Sequence, residues 1–118
     1  MKQVLYVEDN KDTAEAVKFI LDHNGFETKL AFTGKEGIAK ANLEAFDVIL
    51  LDIMLPDMSG WDVFEKIKGN AKAKFAFLSA LPVSGERKEE LKKAGVSDYI
   101  TKPFEKSDLI RRVKKMSE

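Results

Sequence analysis

Three carboxylates stand immediately after short apolar runs of the sequence. Glu8 and Asp9 follow a run at residues 3–7, and Asp52 follows Val48–Leu51. If these runs are neighbouring parallel strands, their carboxyl ends meet at one edge of the sheet and bring the acids together. Carboxylates this close repel one another unless a divalent cation with oxygen ligands neutralises them. Mg²⁺ is the natural candidate, because it binds one or two carboxylates, keeps several waters and commonly bridges to phosphoryl oxygens.

A hydroxyl and an ammonium group occupy comparable positions farther along the chain. Ser79 closes the run Lys74–Ser79, and Lys102 directly follows a run at residues 98–101. Lysine supplies a point charge for a phosphate oxygen, and a serine hydroxyl can hydrogen-bond to another. Asp52 is the best nucleophile among the acids, because it follows the most apolar and hence most central run. Together these residue types predict phosphoryl transfer to the Asp52 carboxylate, with formation of an acyl phosphate.

Five short apolar or β-branched runs alternate with five longer amphipathic segments. This alternation is typical of βα units stacked around a parallel sheet. Val48–Leu51 is apolar on both faces, as expected of a central strand covered by helices on each side. The predicted strands comprise residues 3–7, 26–32, 48–51, 74–79 and 98–101.

Capping signals and apolar stripes delimit the predicted helices. Asp12 with Glu15, and Thr33 with Glu36, have the spacing of capping boxes and predict the starts of the first two helices. The stripes expected to face the core are Ala14, Val17, Ile20 and Leu21 in the first helix, Ile38 and Ala41 in the second, Val63, Phe64 and Ile67 in the third, and Leu109, Ile110, Val113 and Met116 in the fifth.

The fourth helix, at about residues 84–94, is nearly all charge. Leu91 and Ala94 are its main candidates for burial. The core holds a helix with so little apolar surface only weakly, and a Glu89–Lys93 pair adds only about 0.2–0.5 kcal/mol. We therefore expect this helix to be among the least anchored elements of the fold.

Composition restricts the range of functions. The 118 residues contain 20 Lys plus Arg, 20 Asp plus Glu and no cysteine. The zero formal net charge argues against a surface built to neutralise nucleic-acid phosphates, and the lack of cysteine excludes thiol catalysis and Cys-ligated zinc. The length predicts a single domain, residues 1–118. Since the apolar runs are too short to span a membrane and the start of the chain does not resemble a signal peptide, we expect a cytoplasmic location without membrane insertion.

Four separated motifs carry the acids, the hydroxyl and the lysine. They are Val7-Glu8-Asp9-Asn10, Asp52-Ile53-Met54-Leu55-Pro56-Asp57-Met58-Ser59-Gly60, Leu78-Ser79-Ala80 and Asp98-Tyr99-Ile100-Thr101-Lys102-Pro103-Phe104. In sequence and order they resemble the receiver domains of two-component response regulators, and the resemblance covers essentially the whole chain. It implies an α/β, flavodoxin-like (βα)₅ fold, in which a five-stranded parallel sheet of order 2-1-3-4-5 has helices on both faces.

The resemblance also implies a role for each site residue. Asp52 is expected to accept phosphate from a phosphohistidine on a sensor histidine kinase or a histidine phosphotransfer protein. Asp9, Asp52 and the main-chain carbonyl of Met54 would ligate Mg²⁺, with Glu8 acting mostly through water, and Lys102 would pair with the phosphoryl group. The chain would then be a phosphoacceptor switch rather than an enzyme, with catalysis limited to its own phosphorylation and dephosphorylation.

The switch implied by the resemblance involves Ser79 and Tyr99. Ser79 would move to hydrogen-bond the phosphoryl oxygen and Tyr99 would turn inward, which is a population shift between two packings. The Lys102–Pro103 peptide is expected to be cis. The readout face would consist of the fourth helix, fifth strand and fifth helix. The sequence leaves open whether this face acts on an output domain of the same protein, on a separate protein target, or in a homodimer.

The sequence departs from the common family pattern in two places. Ser79 and Lys102 are 23 positions apart, one more than is usual, and the extra residue is assigned to residues 81–85. Met54 and Leu81, each two positions beyond a site residue, are apolar and cannot orient an attacking water, which predicts slow loss of phosphate. His23 and Trp61 are interpreted as structural residues rather than ligands.

Two rival functions are compatible with the same fold. A pseudo-receiver would be a protein-interaction module that is not phosphorylated, and its Mg²⁺ affinity would distinguish it. A flavin carrier or an aspartyl-phosphate hydrolase is the second rival. The acidic loop Glu8-Asp9-Asn10-Lys11-Asp12 is unsuited to a flavin phosphate, and Asp52-Ile53-Met54 lacks the second aspartate that would serve a hydrolase as acid or base.

Overall fold

A computed structural model of the chain describes residues 1–69 and 72–118. Within these ranges, strands and helices alternate in the predicted manner. The strands are β1 (Lys2–Val7), β2 (Phe26–Ala31), β3 (Val48–Leu51), β4 (Lys74–Ser79) and β5 (Val96–Thr101). The helices are α1 (Lys11–Asp22), α2 (Gly34–Leu43), α3 (Gly60–Ile67), α4 (Gly85–Ala94) and α5 (Lys106–Ser117).

The strands form one parallel sheet in the order β2-β1-β3-β4-β5. β3 is the central strand, and its four residues are all buried, as their continuous apolar pattern predicts. The chain passes from β2 across β1 to β3, so strand order reverses between β1 and β3. In open parallel sheets this reversal leaves a crevice at the carboxyl ends of the two strands. The predicted fold class is confirmed.

The sheet separates two apolar layers. Alternate residues of each central strand point to opposite faces. Leu5, Ile49 and Phe75 pack with α2, α3 and α4, whereas Val4 and Val48 pack with α1 and α5. The rigid sheet between these layers fixes where each strand ends, and therefore where the side chains that follow the strands are placed.

The start of α1 differs from the prediction. Asn10 is the N-cap, since its side-chain oxygen accepts a hydrogen bond from the Thr13 N–H at 3.0 Å. The helix therefore begins at Lys11, and the predicted capping box of Asp12 and Glu15 is wrong. Asparagine is as good an N-cap as aspartate, and its position directly after the acids at the end of β1 starts the helix two residues earlier.

The other boundaries lie close to the predictions. β1 begins one residue earlier, at Lys2, β2 ends one residue earlier, at Ala31, and β5 begins two residues earlier, at Val96. Thr33 caps α2 as predicted, because its hydroxyl accepts a hydrogen bond from the Glu36 N–H at 3.0 Å. The reciprocal bond of the predicted capping box is absent, since the Glu36 carboxylate accepts from the Phe32 N–H at 2.6 Å.

Helix α4 has few contacts with the core, as predicted. Leu91 is its one buried residue, and Ala94 is exposed, which corrects the second predicted burial. The predicted Glu89–Lys93 pair is replaced by a loose contact of 4.0 Å between Glu89 and Lys92. On α5, Leu109, Val113 and Met116 are buried, whereas Ile110 is only half-buried.

Candidate functional site

Three carboxylates meet at the carboxyl edge of the sheet. Glu8 and Asp9 follow β1 and Asp52 follows β3, and the two strands are hydrogen-bonded neighbours. One carboxylate oxygen from each of these residues lies within 4.8 Å of the others. Glu8 and Asp52 are buried, whereas Asp9 is exposed. This carboxylate cluster (Glu8, Asp9 and Asp52) presents only oxygen ligands, and its mutual repulsion favours a divalent cation, so the residues present fit Mg²⁺.

Lys102 reaches the cluster from the segment after β5. Its ammonium group donates a hydrogen bond to Glu8 Oε1 and lies 3.4 Å from Asp52 Oδ2. The Lys102 N–H donates to the Ser79 carbonyl at 2.8 Å, which ties the segment to the end of β4. The Lys102–Pro103 peptide is cis. The structure thus places one positive charge between two of the three acids.

Glu8 receives hydrogen bonds on both carboxylate oxygens. The Tyr6 hydroxyl donates to Oε1 at 3.1 Å, in addition to Lys102, and the Asn10 N–H donates to Oε2 at 3.2 Å. Burial by itself would raise the pKa of Glu8, but the hydrogen bonds from Lys102 and Asn10 outweigh it and lower the pKa below its ordinary value. Burial, followed by the negative charge of Glu8, raises the pKa of Tyr6, so this hydroxyl stays protonated and acts as a donor.

Asp52 is held in a different electrostatic environment. Burial raises its pKa, and the neighbouring charge of Glu8 adds to the increase, whereas the attraction of Lys102 opposes it. Its carboxylate Oδ1 accepts a hydrogen bond from the Met54 N–H at 3.3 Å. The pKa of Asp52 is thus shifted upward, whereas that of Glu8 is shifted downward.

A glycine fixes the loop that carries Asp52. Gly60 donates its N–H to the Ile53 carbonyl at 2.8 Å, and Met54 and Ser59 form an isolated antiparallel bridge across the same loop. The main chain of Met54, which the sequence analysis nominates as a metal ligand, is therefore held in a closed turn next to Asp52.

Asp57 fastens the same loop to a helix. Its carboxylate accepts hydrogen bonds from the Gly34 N–H at 2.8 Å and the Lys35 N–H at 2.9 Å, at the first turn of α2. These bonds hold the pKa of Asp57 below its usual range. The loop that contains Asp52 and Met54 is thus tied to α2 as well as to α3.

Ser79 is the last residue of β4, and Tyr99 lies on β5 two residues before that strand ends. Ser79 is buried, and its hydroxyl oxygen accepts a hydrogen bond from the Leu81 N–H at 3.3 Å. Tyr99 is also buried, and its hydroxyl donates to the Leu81 carbonyl. The ring was expected to turn inward on phosphorylation, but in this structure it is already buried in the inward position.

His23 and Trp61 have structural contacts. His23 is the C-cap of α1, where its ring nitrogen Nδ1 lies 2.8 Å from the Phe19 carbonyl and its ring stacks on the Phe19 ring at 4.1 Å. The Trp61 ring lies 4.3 Å from the ring of Phe77 and 4.8 Å from the Arg87 guanidinium.

Two residues of the site were missed by the sequence analysis. Tyr6 could have been noticed, because it is the one residue with a polar side chain inside the run at residues 3–7 after its first position, and it shares a strand face with Glu8. Asp57 gave no signal, because its partners are 22 and 23 residues away and only tertiary folding brings them to it.

The sheet order and the carboxylate cluster beside the reversal of strand order define a flavodoxin-like α/β protein with an acidic site. Residues 4–114 match the model of the response regulator receiver domain family. The chain belongs to this family, whose members are signalling switches of two-component systems and interact with histidine kinases and with output targets.

Individual relatives agree with this assignment. The chain is 34% identical over 116 residues to the transcriptional regulatory protein CrdR of Helicobacter pylori, an alignment that covers 97% of this chain and 54% of that protein. The receiver domain of the Francisella response regulator 1452 superposes with a TM-score of 0.90 at 37% identity, covering 99% of this chain and 97% of that chain. The chain spans about half the length of the curated relatives it matches.

One structural relative was solved with a metal ion. The response regulator TrrA of Thermotoga maritima, in complex with Mg²⁺-BeF, superposes with a TM-score of 0.81 at 30% identity, covering 98% of this chain and 99% of that chain.

None of the helices in the described part of this chain has the length and apolar character that a bilayer span requires.

Proposed function

We propose that the chain is a phosphoacceptor switch in which Asp52 receives a phosphoryl group from a phosphohistidine on a sensor histidine kinase or a histidine phosphotransfer protein. The observation that carries the proposal is the meeting of three carboxylates, with one oxygen of each within 4.8 Å of the others, and of the Lys102 ammonium 3.4 Å from Asp52 Oδ2. In this arrangement a carboxylate nucleophile lies next to acids that could hold a divalent cation and next to a lysine ammonium group.

The transfer uses residues of this chain in defined roles. A carboxylate oxygen of Asp52 attacks phosphorus, and a P–O bond forms as the P–N bond breaks. The imidazole, which carries a proton on its other ring nitrogen, leaves as a neutral ring with the electron pair of the broken bond. Lys102 moves from Glu8 to an oxygen of the transferred group, and the Ser79 hydroxyl donates a hydrogen bond to another. Asp9, Asp52 and the Met54 carbonyl would hold Mg²⁺, with Glu8 acting through water. When bound, the ion supplies positive charge that offsets the charge of the transferring group.

The readout follows from the same movements. Ser79 and Tyr99 both hydrogen-bond the main chain of Leu81, so movement of Ser79 toward the phosphoryl group changes the segment that leads into α4. Leu91 is the one residue of α4 that is buried in the core, so this helix can move at a low cost. The face formed by α4, β5 and α5 would then control a partner protein, an output domain of the same protein, or a homodimer.

We further infer that residues 1–118 form a single receiver unit that works in the cytoplasm, where histidine kinases present their phosphohistidine. The alternative is a pseudo-receiver, a protein-interaction module without phosphorylation. The presence of all the required site residue types counts against it.

The test is the mass of the intact protein after incubation with a small acyl phosphate and Mg²⁺. We expect a gain of one phosphoryl group that is lost in Asp52→Asn and when the metal is chelated. Asp47→Asn is the matched control, because Asp47 lies just before β3, at the opposite end from Asp52, and its contact with the Gln3 N–H can be kept by an amide oxygen. Absence of the mass gain in the folded wild-type protein would favour the pseudo-receiver.

A further inference from the structure

A buried tyrosine hydroxyl touches the carboxylate cluster from inside the protein. Tyr6 is fully buried in the apolar layer shared with α1 and α5. It lies two residues before Glu8 on β1, so both side chains leave the strand on the same face. The packed ring therefore presents its hydroxyl to Glu8 Oε1, at 3.1 Å.

The donors to Glu8 differ in how firmly they are fixed. The Asn10 N–H, bonded to Oε2, belongs to the main chain at the start of α1. Tyr6 is held by core packing. Lys102 has a long flexible side chain and a second partner in Asp52, 3.4 Å away. Of the two donors to Oε1, Tyr6 is thus the permanent one and Lys102 the exchangeable one.

This difference matters when Lys102 leaves. A divalent cation bound among the carboxylates repels the ammonium group, which in the function proposed above then moves to the phosphoryl oxygen, so Oε1 loses one donor. A buried carboxylate oxygen left without a donor is costly, and the side chain would rotate to find another. The Tyr6 hydroxyl prevents this rotation, because it continues to satisfy Oε1 from a fixed position.

We propose that Tyr6 is a positioning residue of the metal site, whose buried hydroxyl holds the Glu8 carboxylate facing Asp9 and Asp52 and frees Lys102 to leave. The inference rests on the proposed function, since it assumes that the carboxylate cluster binds Mg²⁺. Groups that hydrogen-bond to carboxylates around a metal commonly contribute about 10–100-fold to its affinity. Because Glu8 is expected to act through water, we expect the lower end of this range.

The test is a calorimetric titration of the full chain with Mg²⁺ alone. Tyr6→Phe keeps the ring and removes only the hydroxyl, and we expect its dissociation constant to rise about tenfold. In metal-free protein Lys102 still satisfies Oε1, so thermal unfolding without Mg²⁺ should change little. Thr28→Val is the matched control, because it removes another buried hydroxyl, on β2 opposite Val4, and should leave Mg²⁺ affinity unchanged.

A double-mutant cycle shows whether Tyr6 acts through Glu8. In a Glu8→Gln background, Tyr6→Phe should cause no further loss of Mg²⁺ affinity, because the charged carboxylate that it orients is absent. A purely structural role would give the same loss in both backgrounds, together with a lower unfolding temperature in the absence of metal. If Tyr6→Phe does not fold, 3-fluorotyrosine at position 6 replaces it, since this side chain keeps the shape and alters only the strength of the donor.

The outcomes separate the two proposals. Wild-type protein that binds Mg²⁺ with the same affinity as Tyr6→Phe overturns the positioning role and leaves the proposed function intact. Folded wild-type protein that does not bind Mg²⁺ overturns the metal site of the proposed function, and the role of Tyr6 with it.

Discussion

The main chain of Asp52 lies against Gly60, which is eight residues later in the chain. A Cβ atom added at Gly60 would lie 2.1 Å from the Asp52 carbonyl oxygen and 3.0 Å from the Ile53 Cα. Both contacts are with backbone, which cannot rotate away as a side chain can. The absence of a side chain at position 60 therefore determines how closely α3 approaches the loop that carries Asp52.

The first expectation concerns Gly60→Ala. The added methyl group must push the Asp52 loop away from α3, so we expect a loss of about 1–3 kcal/mol in the free energy of unfolding and weaker Mg²⁺ binding. Urea denaturation and Mg²⁺ titration measure the two effects. Gly69→Ala is the control, because nothing lies within 4 Å of a Cβ atom there, and it should unfold at or slightly above the wild-type urea concentration. Equal stability of the two variants would contradict the close approach.

The second expectation concerns the lifetime of the phosphorylated form. The Met54 side chain is 64% exposed beside Asp52 and offers no hydrogen bond to an attacking water. Met54→Asn supplies one, so we expect phosphate to be lost several-fold faster, as measured by the decay of the phosphorylated mass after removal of the donor. Leu43→Asn, at an exposed leucine on α2, should leave the decay unchanged. Rapid loss of phosphate from the wild-type protein would contradict the predicted effect of the apolar Met54 side chain.

The third expectation is a pH dependence at Asp57. Hydrogen bonds from Lys35 and Gly34 lower the pKa of this carboxyl in the folded state. Its charge therefore stabilises the fold above the unfolded pKa, and this contribution is lost as pH falls through the folded pKa. Asp57→Asn should unfold at a lower temperature than wild type near pH 7, and the difference should shrink in acid. A difference in unfolding temperature that stays constant from neutral to acidic pH would show that charge is not involved.

At the scale of single elements, α4 contrasts with its neighbour α3. It has one buried residue, whereas α3 buries Gly60, Val63, Phe64 and Ile67. Helix α4 also contacts α3 through the Arg87 guanidinium, which lies over the Trp61 ring at 4.8 Å. A cation–π contact of this kind contributes about 0.5–1 kcal/mol at an exposed site. A helix held by one leucine and one such contact can change position without disrupting the core.

The fourth expectation follows from this single anchor. Leu91→Ala should cost about 2–4 kcal/mol if α4 stays packed, and less if the helix simply detaches. Hydrogen exchange across residues 85–94 should accelerate strongly while α5 keeps its protection. In Leu109→Ala, a comparable change on α5 facing the other core layer, exchange should rise throughout the domain. Uniform exchange in Leu91→Ala would show that α4 unfolds only with the whole molecule.

At the scale of the whole molecule, the sheet fixes the positions of the site residues. The four residues of β3 and the neighbouring residues of β1 are fully or almost fully buried between two layers of helices. Because the strands cannot shift independently, the carboxylates at their ends are held together against their mutual repulsion. Repulsion among the three carboxylates therefore lowers the stability of the fold until a cation binds to them.

The fifth expectation is therefore that Mg²⁺ stabilises the entire fold. Binding to the folded state alone adds about 2.7 kcal/mol when free Mg²⁺ reaches about 100 times its dissociation constant. Thermal unfolding should shift upward with Mg²⁺ and return on chelation, and Asp9→Asn should reduce the shift. Na⁺ at equal ionic strength controls for screening, and an equal shift with Na⁺ would argue against a specific cation site.

The sequence by itself determined the features that depend on near neighbours. The apolar run of β3, the Thr33 cap of α2 and the charged character of α4 act within about one helical turn or one strand, so residue type and spacing suffice to predict them. The placement of acids directly after strands was enough to predict that they meet, because parallel strands align their carboxyl ends.

Only the tertiary structure decided which side chains contact one another at the carboxyl edge of the sheet. Lys102 bonds Glu8 across 94 residues, and Asp57 bonds the start of α2 across 22 and 23. Tyr99 faces inward, and Tyr6 delivers its hydroxyl to Glu8, because of how the layers on each side of the sheet pack. These contacts depend on the directions of the side chains and on atomic positions defined to a few tenths of an ångström. Those directions and positions are set only when the sheet and its two helical layers are assembled.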